Sequence, residues 1–176
     1  MKTTFFIFGL IGLLLYSPVP VVGAFDTQVF PSPDGKLIAK IIPAEKSPEC
    51  KVQILTDKGA LLVSADYSSA DGEHGQYVEN ASWTPDSQFF VYSTYNTGGH
   101  SVWQSVYFFY RRRDSKILPS YDFLPPIVDS RFSLQPPDII SVTIWSPFAP
   151  NKGIVDSIKL PVTFKLSDLN KGTNEK

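Results

Sequence analysis

The densest cluster of reactive side chains in the sequence is Asp71-Gly72-Glu73-His74. Two carboxylates and an imidazole on one short loop could bind a metal ion or move a proton near neutral pH. The only other histidine, His100, follows Gly98-Gly99 and would join the cluster if the two loops met. A metal site wants three or four ligands at defined spacing, and no second cluster supplies them. Two exposed loop histidines are the plainer reading, so no metal, cofactor or catalytic residue is assigned. Nucleophilic catalysis would need a base beside a serine or cysteine, and there is no Gly-x-Ser-x-Gly elbow. A glycosidase would need two positioned carboxylates, which 17 acidic residues neither support nor exclude. Phosphate-cradling glycine loops and dinucleotide fingerprints are absent.

A second candidate is the basic run Arg111-Arg112-Arg113, with Tyr107, Phe108 and Tyr110 just upstream. It could grip an anionic partner while the rings stack on it, or it could be a solvated hairpin tip. The chain carries 16 basic and 17 acidic residues, a net charge of −1. That balance gives no broad pull toward nucleic acid or anionic lipid. Trp83, Trp103 and Trp145 sit in similar strand contexts, where packing is the expected role.

These residues need a scaffold, and the N-terminus says where it is built. Lys2 precedes an apolar run from Phe5 to Tyr16, Ser17-Pro18-Val19-Pro20 breaks it, and Val22-Gly23-Ala24 offers a cleavage boundary. This is the three-part pattern of a secretory signal. The run is shorter than the 18–20 apolar residues a membrane span requires. The expected mature chain therefore starts at Phe25, is secreted or periplasmic, and has no stable membrane insertion after cleavage. Cys50 is the only cysteine, so no internal disulfide can hold the domain. A lone cysteine could be a reactive thiol or simply a small strand residue. Asn80-Ala81-Ser82 is a glycosylation sequon, meaningful in a eukaryotic host.

From residue 25 the pattern is period two, rich in aromatic and β-branched residues and punctuated by 15 prolines and 11 glycines. Strands are expected over 25–30, 36–42 (ended by Pro43), 50–55, 60–67, 78–83, 88–95, 101–110, 117–118, 127–134 and 139–145. Val155–Leu166 is expected to form a last strand or strand pair interrupted at Pro161. The chain divides into a signal peptide (1–24), an all-β repeat domain (25–168) and a polar tail (169–176). No amphipathic helix is expected outside the signal.

Pro33-Asp34, Pro85-Asp86 and Pro137-Asp138 recur at intervals of 52 residues, each before an apolar strand. Proline fixes the second turn position and aspartate bonds back to the turn backbone. Periods near 50 residues point to blade-like β arrays. Phe30-Pro31-Ser32-Pro33-Asp34-Gly35-Lys36-Leu37-Ile38-Ala39 resembles the blade motif of TolB-type β-propellers. Trp83-Thr84-Pro85-Asp86-Ser87-Gln88-Phe89-Phe90-Val91-Tyr92-Ser93 resembles it again. The resemblance covers most of residues 25–120 and only weakly 128–168, where Ile139 replaces the glycine and no tryptophan precedes the turn. It implies that the motif joins the first and second strands of a four-stranded blade. The expected fold is all-β, as three blade-like antiparallel sheets of up to four strands or, alternatively, a β-sandwich. Three blades do not close a ring, so a homodimer with six blades is one expectation and capping or a protein partner is another. The functional expectation is an exported, non-catalytic module that binds a protein or other macromolecule. Its alternative is a small secreted hydrolase or metal-dependent enzyme using the 71–74 loop.

Overall fold

The computed structural model describes residues 25–98, 106–145 and 159–170. Strand outweighs helix in it, 58% to 6%, as a period-two sequence requires. Three antiparallel sheets follow one another along the chain. The first contains β1 (Gln28–Pro31), β2 (Leu37–Ala44), β3 (Ser47–Thr56) and β4 (Leu61–Asp66). The second contains β5 (Gln76–Trp83), β6 (Phe89–Asn96), β7 (Val106–Arg111) and β8 (Lys116–Pro119). The third contains β9 (Ser133–Gln135), β10 (Ile139–Trp145) and β11 (Lys159–Lys165). Within each sheet the strands pair in chain order, so every connection is a meander and no sheet closes on itself.

The three sheets stack, and the alternation of side chains decides how. Leu37, Ala39 and Ile41 of β2, with Cys50, Val52 and Ile54 of β3, pack against Trp83, Phe90, Tyr92 and Tyr110 of the second sheet. The opposite face of the second sheet, Phe89, Val91, Tyr107 and Phe109, packs against Ile140, Val142 and Ile144 of the third. The middle sheet is therefore covered on both sides, and the first six residues of β6 are all buried. This is why β6 and β7 read as continuous aromatic runs, while the outer strands β2 and β10 alternate.

The first two Pro-Asp turns share one bonding scheme. In the first, Ser32 N–H donates to Leu37 O (2.9 Å), Leu37 N–H donates back to Ser32 Oγ (3.0 Å), and Ser32 Oγ–H donates to Asp34 Oδ1 (2.7 Å). In the second, Thr84 N–H donates to Phe89 O (2.9 Å), Phe89 N–H to Thr84 Oγ1 (3.0 Å), and Thr84 Oγ1–H to Asp86 Oδ1 (2.6 Å). Both need a left-handed residue after the aspartate: Gly35 takes φ +71° and Ser87 φ +61°. Asparagine, aspartate and glycine tolerate that region best, so Ser87 holds it at some cost. The turns are also tied to one another across the stack. Asp34 N–H donates to Ser87 Oγ (3.0 Å), and Asp86 N–H donates to Pro137 O (3.3 Å). Trp83 reinforces the first junction by donating its indole N–H to Phe30 O (2.8 Å).

The third Pro-Asp pair also joins a first strand to a second, but differently. Only three residues separate β9 from β10, the Pro136–Pro137 bond is cis, and Asp138 is buried. Its carboxylate accepts from Ser167 N–H (2.7 Å) and its carbonyl from Leu166 N–H (2.9 Å), anchoring a 3-10 helix at Leu166–Asn170.

Several sequence expectations are corrected. Strand β2 runs through Pro43 to Ala44, with a register shift there, and does not stop before the proline. Residues 128–132 form no strand; an isolated bridge pairs Ile127 with Ile144, and β9 begins only at Ser133. Strand β11 is not interrupted at Pro161, which pairs opposite Thr143 on an edge strand. An edge position tolerates a residue without a backbone donor. Leu166 is buried and lies in the short helix, outside the strand. Residues 101–105 of the expected aromatic strand, Trp103 and His100 lie outside the described residues. Helix among the described residues is confined to 3-10 turns such as Ser120–Asp122, and none is long and apolar enough to cross a membrane.

Candidate functional site

The 71–74 cluster sits on the connection between β4 and β5, and its platform is a residue the sequence patterns did not single out. Glu49 in β3 is fully buried. Its carboxylate accepts from Ser69 N–H (2.6 Å), Ser69 Oγ–H, Gly75 N–H (2.5 Å) and Thr97 Oγ1–H (2.7 Å). Burial alone would push this carboxyl up. The amides of Ser69 and Gly75 and the hydroxyls of Thr97 and Ser69 override it and hold the group down at about 2. A buried carboxylate is tolerable only when its lone pairs are this fully engaged. Glu49 thus grips both ends of the loop and the end of the second sheet's hairpin. Gly75 has no substitute here, since a Cβ would collide with the Tyr67 carbonyl and the Glu49 carboxyl.

Between those anchors the loop is held by its own polar groups. Ser69 Oγ, whose one proton is shared between Glu49 and Asp71, lies 2.8 Å from Asp71 Oδ1, Glu73 N–H donates to the same oxygen (3.0 Å), and Ser47 Oγ–H donates to Gly72 O (2.7 Å). Gly72 takes φ +73°, the left-handed conformation this reversal requires. His74 Nδ1 lies 2.5 Å from Asp71 Oδ2. The Glu73 amide, the Ser69 hydroxyl and His74 hold the Asp71 carboxyl well below the usual range, and Asp71 in turn raises His74. Both side chains are more than half exposed, so the pairing orients the ring far more than it stabilises the fold. It leaves Nε2 as the nitrogen not engaged by Asp71. Beside the loop runs an open cleft of about 630 Å³, lined by Pro48, Gly72, Glu73, His74, Tyr77, Thr97 and Gly98.

Asp71 and His74 are in contact, while Glu73 gives Asp71 its backbone amide and lines the cleft. Among the described residues, however, no group of three His, Cys, Asp or Glu side chains is arranged to hold a metal ion.

The arginine run is divided among different tasks. Arg111 pairs with Asp114 inside its own hairpin, at 2.9 and 2.6 Å. Arg112 reaches across to the first sheet, where it donates to Asp34 Oδ2 (2.6 Å), and it also contacts Ser87 O (3.3 Å). The Arg112 guanidinium and the Ser32 hydroxyl hold Asp34 at about 2. Arg113 is exposed at the hairpin tip. Two of the three cations are thus spent on internal carboxylates, one of them in the junction between sheets.

Cys50 is buried in the first core, and burial pushes its thiol up to about 11, so it is an inert packing residue near neutral pH. Asn80 of the sequon lies within β5, and its amide donates to Ser130 O (3.3 Å). Trp83 and Trp145 lie in or beside strands, Trp83 in the first core and Trp145 beneath the Lys159 ammonium at 5.4 Å. No protein-family model matches the chain, and no curated protein is recognisably similar to it.

Proposed function

We propose that the chain is an exported, non-catalytic binding module built on a TolB-type blade repeat, and that it recognises a protein or other macromolecule through the 68–75 loop. The repeat reading is supported by the matching bonds of the turns at 32–37 and 84–89 and by the meander order of the sheets. The observation that carries the binding reading is the loop's pre-organisation. Glu49 clamps its two ends, Asp71 orients His74, and the open cleft lies alongside. A loop already fixed in shape loses little entropy on association, which is where much affinity is otherwise spent.

The reading is tested by immobilising the protein and challenging it with the extracellular or periplasmic fraction of its host, beside His74→Ala and Tyr77→Ala variants. A partner retained by the wild type and lost by both variants is expected. Equal retention by all three would remove the loop from the binding surface. The alternative is a hydrolase or metal-dependent enzyme. It is favoured by one feature, the carboxylate–imidazole contact that leaves Nε2 available as a base or ligand. Stoichiometric zinc after dialysis, lost in His74→Ala, would decide for that alternative.

A further inference from the structure

The sequence guards the free edges of the three sheets unequally, and the phase of the hydrogen bonds shows how. In an antiparallel pair the bonded positions alternate, so the residues between them turn their N–H and C=O groups to the other side. Ser32 N–H donates to Leu37 O, so Pro31, one place along, has its missing donor on the free side of β1. Leu166 N–H donates to Asp138 O, so Pro161, at the opposite phase, has its missing donor on the free side of β11. β8 has four residues, opening with Lys116 and ending at Pro119, and β9 has three. β5 is broken by a register shift at the exposed Glu79. Proline, short length, charge and bulges are the usual means of keeping an edge from pairing with another chain.

β4 carries no proline, lysine or arginine. Its one irregularity lies at Leu62, and beyond it Val63, Ser64, Ala65 and Asp66 pair in turn with Ile54, Gln53, Val52 and Lys51. Tyr67 N–H donates to Cys50 O (3.0 Å), which sets the phase. Val63 and Ala65 therefore bond to β3, and Ser64 and Asp66 turn their backbone groups outward. Among the described residues no other strand or backbone group takes these up. Val63 and Tyr67 pack half-buried at the margin of the first core, while Ser64 is exposed.

We infer that the free edge of β4, at residues 63–66, is an interaction surface for an extended segment of a partner protein, which adds to the first sheet as a further antiparallel strand. Outward N–H and C=O groups spaced along a strand are complementary to another extended backbone, which supplies the affinity, while alternate side chains supply the specificity. The phase of β4 states what that segment must look like. Residues opposite Val63 and Ala65 lie on the core side and are apolar, where they extend the margin of the first core. Residues opposite Ser64 and Asp66 lie on the outer side and are polar. β4 leads through Tyr67 straight into the 68–75 loop, so a segment lying on this edge ends beside the loop proposed to meet the partner.

The probe is a capped peptide with the sequence of residues 51–56, Lys-Val-Gln-Ile-Leu-Thr, which already has this alternation. Added to the isotope-labelled protein up to millimolar concentration, it should shift the Ser64 and Asp66 amide resonances saturably. Methylating the amide nitrogen of its glutamine, which would face Ser64, should abolish the shifts without any change to the protein. Ser64→Pro removes one outward donor and no bond to β3, as Pro161 does in β11. It should weaken binding about tenfold or more and leave circular dichroism unchanged. No shift at millimolar peptide overturns the inference, as do equal shifts with the methylated peptide or shifts confined to another edge. The same two amides shifting with protein concentration alone would also overturn it, because a second copy would then fill the edge. Partner capture with His74→Ala tests the loop and the peptide titration tests the edge, so either can fail while the other stands.

Discussion

The turns at 32–37 and 136–138 carry the same Pro-Asp pair and use it in opposite ways. In the first, as in its copy at 84–89, the aspartate faces a hydroxyl two residues back and closes the turn locally. In the third, no serine or threonine stands two residues before the aspartate and no glycine follows it. The carboxylate turns inward and holds the start of a helix 29 residues later. A dipeptide at a fixed period therefore marks where a turn falls. The residues on either side decide whether it is held by its own side chains or by a distant segment.

The comparison can be broken most forcefully at Trp83, which stands directly before the second turn and has no counterpart before the third. Trp83→Ala removes a core ring and the bond to Phe30 O, and should cost about 3–5 kcal/mol in urea unfolding. Gln135→Ala, the exposed residue before the third turn, should change little. Asp138→Ala comes next. It removes the carboxylate that accepts the Ser167 amide while leaving the carbonyl that accepts Leu166, so a loss of about 2 kcal/mol is expected, with faster proteolysis after Lys165. Asp34→Ala should leave that cleavage unchanged. Thr84→Ala, which leaves the Phe89 amide without its hydroxyl acceptor, should cost about 1 kcal/mol. Thr84→Ser should restore most of it, because Ser32 performs the same task in the first turn.

The smallest effect is expected with acid. Asp34 and Glu49 are both held at about 2, below their usual values of 3.8 and 4.5. A depressed carboxyl contributes stability that is present above its unfolded value and lost as pH falls through its folded one. Stability should therefore decline between about pH 4.5 and 2, and Asp34→Asn should flatten part of that slope. An unchanged slope would mean that the Arg112 contact does not persist in solution.

Much of this architecture could be read before any coordinates, because it is written locally. Alternation placed β2 and β10, runs of aromatic and β-branched residues placed β5 and β6, each within two residues of its ends, and the spacing of the aspartates placed the first two turns. What escaped depends on residues far apart in the chain. Glu49 sits in Ser47-Pro48-Glu49-Cys50, which looks like an ordinary polar strand start. Its donors come from residues 69, 75 and 97, so no window of the sequence contains the site. The same holds for Arg112, indistinguishable from its neighbours until Asp34 is seen beside it. Pro161 and Pro43 are ambiguous in sequence for another reason: a proline breaks a strand only where its missing donor would have been paired, and position in the sheet decides that.

The double cover of the middle sheet has a consequence for how the molecule opens. β6 has a strand on each edge and a sheet on each face, so its amides can reach water only when both neighbouring sheets have moved. In hydrogen exchange, Phe89 to Thr94 should be the slowest segment, with β4 and β11 at the free edges among the fastest. The gradient would run from the centre outward, so the solvent clock of each strand would report how many layers lie between it and the outside.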